Sequence, residues 1–477
     1  MTSERMTLQP APPLGLLARV RLALTASTGT AAEDRARERQ RRVLLTAGAS
    51  ALAKAVSMAT MLVSVPLTLH YLGEERYGMW ITISSFALML SFADFGIGNG
   101  LLTAVSRANG RDDMGEVLTY VSTGAFVLGV IGLAAAVIGL VAVPLVNWAG
   151  VFRLAGTQAM REAEPAMLSF ALCFAASIPL TLIQRVQFGL QRGFLSSLWQ
   201  CASSLAVLAS VLAAVSLRAP LFGLVLAFLG PPLVVGLINT LVFFTVQMPG
   251  IAPGRRGVSG RHAREILRMG GMFFVLQVTV AVAYLSDSFV ISRILGAAHV
   301  TDYSIADRMF SVVSLLIGFV VVPLWPAFGE ALERGDTAWA RRTLIRGTVL
   351  SFLIAGTFGI VLTFLSSFLI RIWIGNGVTV PLLLIAGFAL WRVIEATVQT
   401  AAMFLNALQA VRFQVATALC TAVVAISAKI YLLPYLGVSA MPWITICVYL
   451  TFTGFPLAWY VWCCLKRPEL VSGRAAG

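Results

Sequence analysis

Lys54 lies about eleven residues into an apolar run at residues 43–66, close to 15 Å from either end if the run is helical. A lysine stem cannot comfortably carry its ammonium that far to water, so the charge faces either a wet cavity or a partner. Two readings stay open: a cavity cation that meets an anionic group, or a lysine paired with a carboxylate or neutralised by desolvation. Arg392 and Glu395 sit midway along a second apolar run, three residues apart and so on one helical face. They either pair with each other, or Glu395 aims Arg392 at a cavity, where a guanidinium matches phosphate oxygens in bidentate fashion. Gln399, one turn on, extends the same polar face.

Asp287, Asp302, Asp307 and Arg308 gather around the junction of two further runs. Asp287 is expected about four residues inside the membrane, within reach of surface water. Pairing of Asp287 or Asp307 with a basic residue would make a gate; solvation of a helix end is the plainer reading. Asp94 opens the turn Asp94-Phe95-Gly96-Ile97-Gly98-Asn99-Gly100. Its carboxylate can accept orphan amide protons while the glycines permit close backbone approach; proton or ion coupling is the other reading. The glycines are no nucleotide fingerprint, because no strand precedes them. Pro323 and Pro326 flank Trp325 and mark a kink or a flexible point.

Enzymatic chemistry finds no footing. His70, His262 and His299 are far apart in sequence, without metal-ligand spacing, and no Walker segment is present. The six cysteines are scattered, mostly inside apolar runs, so neither a disulfide framework nor a cofactor is expected.

The elements that must position these residues are membrane helices. The 477-residue chain is 58% hydrophobic and 12% charged, where a soluble protein has about a quarter of its residues charged. At about 20 apolar residues per crossing, roughly twelve spans are expected: 43–66, 77–97, 117–146, 166–185, 195–217, 221–247, 269–292, 304–329, 343–370, 379–405, 411–433 and 440–464. Continuous apolar runs exclude a barrel, whose strands alternate. The net charge of +14 reflects arginines in short loops, not a nucleic-acid footprint. Most of the 35 basic residues fall on one side if both termini are cytoplasmic. The expected organisation is therefore a basic tail at 1–42, a first six-helix bundle at 43–248, a basic linker at 249–268, a second bundle at 269–465 and a short tail at 466–477. The linker is a solvated topological anchor or a contact for anionic membrane lipids.

The halves also echo one another. His70–Trp80 and Ser292–Arg308 follow the first helix of each half with Leu-Gly, a polar stretch and a tyrosine. Phe188–Ser197 and Leu405–Val415 each carry a Leu-Gln pair followed by basic and aromatic residues. Six spans is an even number, so a duplication would be a parallel repeat about an axis along the membrane normal, with a cavity between two lobes.

With these motifs in view, Val65–Asp113 resembles the opening of the bacterial polysaccharide flippases, which translocate lipid-linked O-antigen and exopolysaccharide repeat units. Leu72-Gly73, Tyr77-Gly78, the Asp94–Asn99 turn and Arg107 carry the likeness, as do Asp287–Tyr303 and Leu405-Asn406, and it extends over about residues 43–465. The superfamily also holds the multidrug and toxic-compound antiporters. The resemblance implies an all-α inner-membrane transporter of two six-helix bundles, with both termini cytoplasmic, that flips undecaprenyl-diphosphate-linked oligosaccharide to the periplasmic leaflet. A polymerase or export complex is an implied partner. An ion-coupled organic-cation antiporter of the same fold is the alternative, and a cavity for cations should hold unpaired carboxylates. In the sequence, Lys54 and Arg392 outnumber Glu395, which favours an anionic cargo. A non-transporting scaffold would lack a polar central cavity.

Overall fold

The computed structural model describes residues 31–88, 94–151, 156–295, 297–373 and 380–466. The tails expected at 1–42 and 466–477 fall mostly outside them. Every regular element among the described residues is helical. We number the helices α1 (Ala31–Leu88), α2 (Ile97–Gly110), α3 (Met114–Leu145), α4 (Thr157–Gly189), α5 (Gly193–Ser216), α6 (Leu221–Val242), α7 (Gly260–Leu295), α8 (Ala297–Val321), α9 (Leu324–Glu333), α10 (Thr337–Trp373), α11 (Leu382–Ala407), α12 (Val411–Leu436), α13 (Met441–Tyr449) and α14 (Phe455–Lys466). Among the described residues, 11 helical stretches are long and apolar enough to cross a membrane.

The expected spans from 117 onward each find a helix, with two interruptions. The span at 304–329 breaks at Val322-Pro323 into α8 and α9, where proline removes a backbone donor and clashes with the preceding turn. The last span is two helices joined by a π turn, Leu450–Gly454. The larger difference lies at the start. The spans expected at 43–66 and 77–97 share one helical stretch of 58 residues, because Gly73 and Gly78 stand among good helix formers and do not stop it. Straight, it would be about 87 Å long. It carries the chain out to Arg76, paired with Glu162 near the start of α4. Asp94, however, pairs with Arg185 near the other end of α4. The step from Leu88 to Asp94 spans at most about 20 Å. The helical backbone therefore turns back on itself inside α1, which holds one membrane-length apolar window, Arg37–Thr60, among the described residues.

The packing repeats in order. In the first half α1 packs on α5, α3 on α4, α4 and α5 on α6, and α2 on α3 and α4. In the second half α7 packs on α12, α10 on α11, α11 and α12 on α13, and α9 on α10 and α11. The turns repeat as well. Left-handed residues close α2 and α9 (Asp112, φ 58°; Gly335, φ 72°), α4 and α11 (Gln191, φ 56°; Gln409, φ 57°), and α5 and α12 (Arg218, φ 52°; Gly437, φ 71°). Asp113 caps α3 through the Glu116 amide, and Asp336 caps α10 through the Trp339 amide. The glutamine of each Leu-Gln pair is thus a turn residue, and a duplicated backbone explains why both halves keep it.

The halves meet where α2 crosses α7 and α9. Gly96 has φ +71°, and a Cβ there would lie 2.3 Å from the Gly270 carbonyl oxygen, so only glycine fits. Gly100 and Gly270 continue the close approach. We expect Gly96→Ala to destabilise the protein by about 1–3 kcal/mol, whereas Gly48→Ala, inside α1 with nothing within 4 Å of the new methyl, does not destabilise it and gains up to about 1 kcal/mol. Melting midpoints of the two purified variants in detergent check this; equal midpoints would refute the crossing as a constraint.

Candidate functional site

α11 presents Arg392 and Glu395 to α8, as their spacing requires. Arg392 Nη1 donates to Glu395 Oε2 (2.8 Å) and to Ser314 Oγ (3.1 Å), and Nη2 donates to Asp307 Oδ1 (2.6 Å). Ser314 Oγ donates in turn to Glu395 Oε2 (2.9 Å). Asp307 and Ser314 are two turns apart on α8 and so share its α11-facing side. Beside them a cavity of about 340 Å³ is lined by Asp287, Tyr303, Asp307, Arg308, Arg392 and Glu395 among others. Three of the four residues expected around one helix junction, Asp287, Asp307 and Arg308, therefore join the Arg392 pair in one site, and Asp302 does not line it.

The deepest part of this cluster was not legible. Lys429 Nζ donates to Asp287 Oδ1 (2.6 Å) and Tyr303 Oη donates to Asp287 Oδ2 (2.7 Å), with the lysine and aspartate side chains 1% and 2% exposed. Asp287 is thus buried and paired, not open to surface water as expected, because α12 packs along α7 and delivers the ammonium to it. Lys429 lies two turns before the end of α12, and an amine at that depth in an apolar helix signals a partner. Charges in the cluster balance. Arg392, Arg308 and Lys429 face Asp287, Asp307 and Glu395, so Glu395 is not the isolated carboxylate that the sequence count assumed. Asp307 and Glu395 keep side chains 44% and 31% exposed and turn acceptor capacity to the cavity. Chemically they can accept protons from water, a cation or a hydroxylated ligand.

Lys54 is elsewhere. It is exposed on α1, on the flank of the face that bonds α5 through Ser50 and Ser57, and has no ionic partner among the described residues. It does not line the Arg392 cavity, and neither does Gln399. Asp94 holds its own turn: Oδ1 accepts from the Gly96 amide (3.0 Å), and Oδ2 lies 3.4 Å from Arg185. Arg185 also donates to Asn99 Oδ1 (2.7 Å), which ties α4 to the start of α2.

A second ionic assembly, invisible to local pattern, joins the halves at the end of the bundle that carries the 249–268 loop. Glu330 on α9 is nearly buried and takes Arg334, Gln191 and, at 3.9 Å, Arg39 from α1. Arg39, 3% exposed, also pairs with Asp336. Arg107 on α2 pairs with Glu333, and Arg334 forks onto both Asp112 oxygens at 2.6 Å. Ser106 Oγ donates to the Pro326 carbonyl, so backbone joins the same contact. The tips of α2 and α9 are thereby latched to each other.

The sequence of this helical framework matches the polysaccharide biosynthesis protein family over residues 45–332. The chain belongs to that family. Similar proteins include a Yersinia pseudotuberculosis protein provisionally named for O-antigen export, 24% identical over 73% of this chain and 80% of its own length. A provisionally named O-antigen transporter of Salmonella typhimurium is 23% identical over 60% of this chain and 65% of its own. Among solved structures, a MATE protein in its bent conformation superposes with a TM-score of 0.77 at 12% identity, covering 96% of this chain and 99% of that one. An outward-facing multidrug resistance MATE transporter gives 0.74 at 12% identity, over 91% and 96%. A Pyrococcus furiosus transporter of the same superfamily gives 0.75 at 11%, over 90% and 97%. These likenesses establish the fold. The family member is a multi-pass integral membrane protein with a transporter's architecture.

Two outcomes follow for this family member. Asp287→Asn leaves the buried Lys429 ammonium without its counterion and should cost about 3–5 kcal/mol, whereas Asp287→Leu combined with Lys429→Met recovers most of that loss. Thermal melting of the variants decides it, and a double variant no better than the single would disprove the pairing argument. At the latch, the Arg334 hydrogen bond holds the Asp112 carboxyl below its ordinary 3.8. A depressed folded value means the contribution is complete above 3.8 and fades only as pH falls through the lower folded value. The distance between spin labels at Met114→Cys and Arg341→Cys should therefore stay constant from neutral pH down to about 5. A change between pH 8 and 6 would show that another group controls the latch.

Proposed function

We propose that the protein moves a polyprenyl-diphosphate-linked oligosaccharide from the cytoplasmic to the periplasmic leaflet of the bacterial inner membrane. The observation that carries this reading is Lys54. An exposed ammonium without an ionic partner, well inside the span that begins at Arg37, suits an anionic headgroup. The O-antigen names of the two relatives favour the same cargo. In this reading the 249–268 loop and both termini are cytoplasmic, because Arg255, Arg256, Arg261, Arg264 and Arg268 crowd that side. The bundles at 43–248 and 269–465 then act as lobes, and the latch between α2 and α9 closes the cytoplasmic side while the periplasmic side is open. Asp94 serves the fold of the α2 turn, and Asp287, Asp307 and Arg308 serve as gating or coupling residues beside Arg392 and Glu395. Membrane lipids bathe both lobes, and a polymerase would be the natural recipient of the flipped chain.

A second reading has its own observation. Asp307 and Glu395 expose acceptor oxygens to a cavity in a fold shared with MATE transporters, which is the equipment of ion-coupled exchange of organic cations. The two readings separate in one preparation. In proteoliposomes offered a fluorescent polyprenyl-diphosphate oligosaccharide and, separately, tetraphenylphosphonium, the flippase moves the lipid. Lys54→Ala should slow that movement about tenfold or more, equivalent to about 1.4 kcal/mol, and Arg392→Lys should retain only part of the activity because a single ammonium cannot bridge Asp307 and Glu395 as the guanidinium does. Cation transport that Asp307→Asn abolishes and Lys54→Ala leaves intact would establish the antiporter instead. Labelling of Arg256→Cys by an impermeant maleimide from the periplasmic side would invert the topology.

A further inference from the structure

The first half holds a cavity of its own, about 620 Å³, enclosed by α1, α4, α5 and α6. That lies within the roughly 300–1,000 Å³ of small-molecule sites. Each helix contributes one stripe at helical spacing: Ser57, Thr60 and Ser64 from α1, and Ser196, Gln200 and Ser203 from α5, with α4 and α6 opposite. Half of its lining residues carry a hydroxyl or a carboxamide, and none is ionisable. The contrast with the second-half cavity, walled by Asp307, Arg392 and Glu395, is complete.

The polar groups divide into two sets. Ser64 donates back to the Thr60 carbonyl (2.7 Å), Thr181 to that of Ile178 (2.7 Å), and the amides of Gln187 and Asn239 bond each other (2.8 Å). These are the internal satisfactions that any membrane helix needs, and Ser57 with Ser204 (2.7 Å) glues α1 to α5. Gln184, Trp199, Gln200 and Ser203 are different, because they line the cavity and bond no described residue. Gln184 and Gln200 are exposed to the cavity side, so their amides are open to water or a ligand rather than sealed in the packing. Each carboxamide offers both donor and acceptor, and each indole an apolar face with one N–H. That combination recognises a neutral polyol with alternating hydroxyls and C–H faces. It provides no counter-charge for a diphosphate or for an ammonium.

We propose that this cavity is a binding subsite for the uncharged sugar residues of the cargo, formed chiefly by Gln184, Gln200, Ser203 and Trp199. The proposal rests on the lipid-linked saccharide reading above and adds where the sugar lodges. Full-length protein in detergent is titrated with a short-chain polyprenyl diphosphate carrying a neutral disaccharide, and with the same diphosphate bearing no sugar. Wild-type protein should bind the glycosylated lipid about tenfold more tightly, and Gln184→Met with Gln200→Met, which keeps volume and removes hydrogen bonding, should bring the ratio to about one without weakening the bare lipid. Trp199→Phe, at an unchanged melting midpoint, should reduce the ratio part-way. Equal affinities in the wild type, or a ratio that the glutamine double variant leaves intact, overturns the subsite even when proteoliposomes still flip the glycosylated lipid. Proteoliposomes that move tetraphenylphosphonium and neither lipid overturn the functional reading itself and the subsite with it.

Discussion

Everything in this bundle depends on how the Glu330 carboxylate is neutralised. It sits almost dry at the point where the tip of α9, the start of α1 and the α4–α5 turn converge. Removed from water, an anion there is tolerable only because Arg334, Arg39 and the Gln191 amide surround it. Those three partners come from both halves, so the local need of one charge becomes the joint between lobes. The helices beside it are built for proximity: the Gly96, Gly100 and Gly270 backbones leave no room for a side chain between α2 and α7. A joint of exchangeable ion pairs on small-residue packing has discrete partners to lose and regain, unlike a broad apolar seam.

This joint was also the least legible part of the sequence. Apolar runs announce membrane helices because the bilayer imposes their length, and every span from 117 onward was visible in that way. Arg39 and Asp336 are separated by nearly three hundred positions, and no periodicity links them. The same holds for Lys429. Within its own helix it reads as a charge near an interface, and only the packing of α12 on α7 makes it the counterion of Asp287. Arg392 and Glu395 were readable as a pair because helical spacing fixes neighbours three residues apart. Their contacts across to Asp307 and Ser314 were not, since those need the rotation of α8 against α11. At α1 the two apolar runs were legible while the continuity of helix between them was not.

The repeat was half visible for a related reason. Leu-Gln pairs survive in both halves because each glutamine occupies a left-handed turn that the backbone requires. Side chains on the helix faces are under no such constraint, so the composition of the two lobes could drift apart while their geometry did not. Counting back from the matched turns at Gln191 and Gln409 sets Glu395 opposite Ser177. One lines the charged cavity, the other the neutral one.

That divergence has a physical use. A charged group and a neutral polyol make opposite demands on a site buried in a membrane. The first needs counter-charge and tolerates little else, while the second needs many weak donors and acceptors and is repelled by desolvating a spare charge. One cavity cannot meet both demands well. A duplicated fold can, because each half keeps the same helix crossings and turns while its inward stripes take a different polarity. A cargo with a sugar at one end and a diphosphate at the other could then engage the neutral stripe of α4 and α5 while its anionic part stays near Lys54 on α1. The Arg392 cluster, balanced in charge, would be left free to respond to protons or ions rather than to hold the cargo.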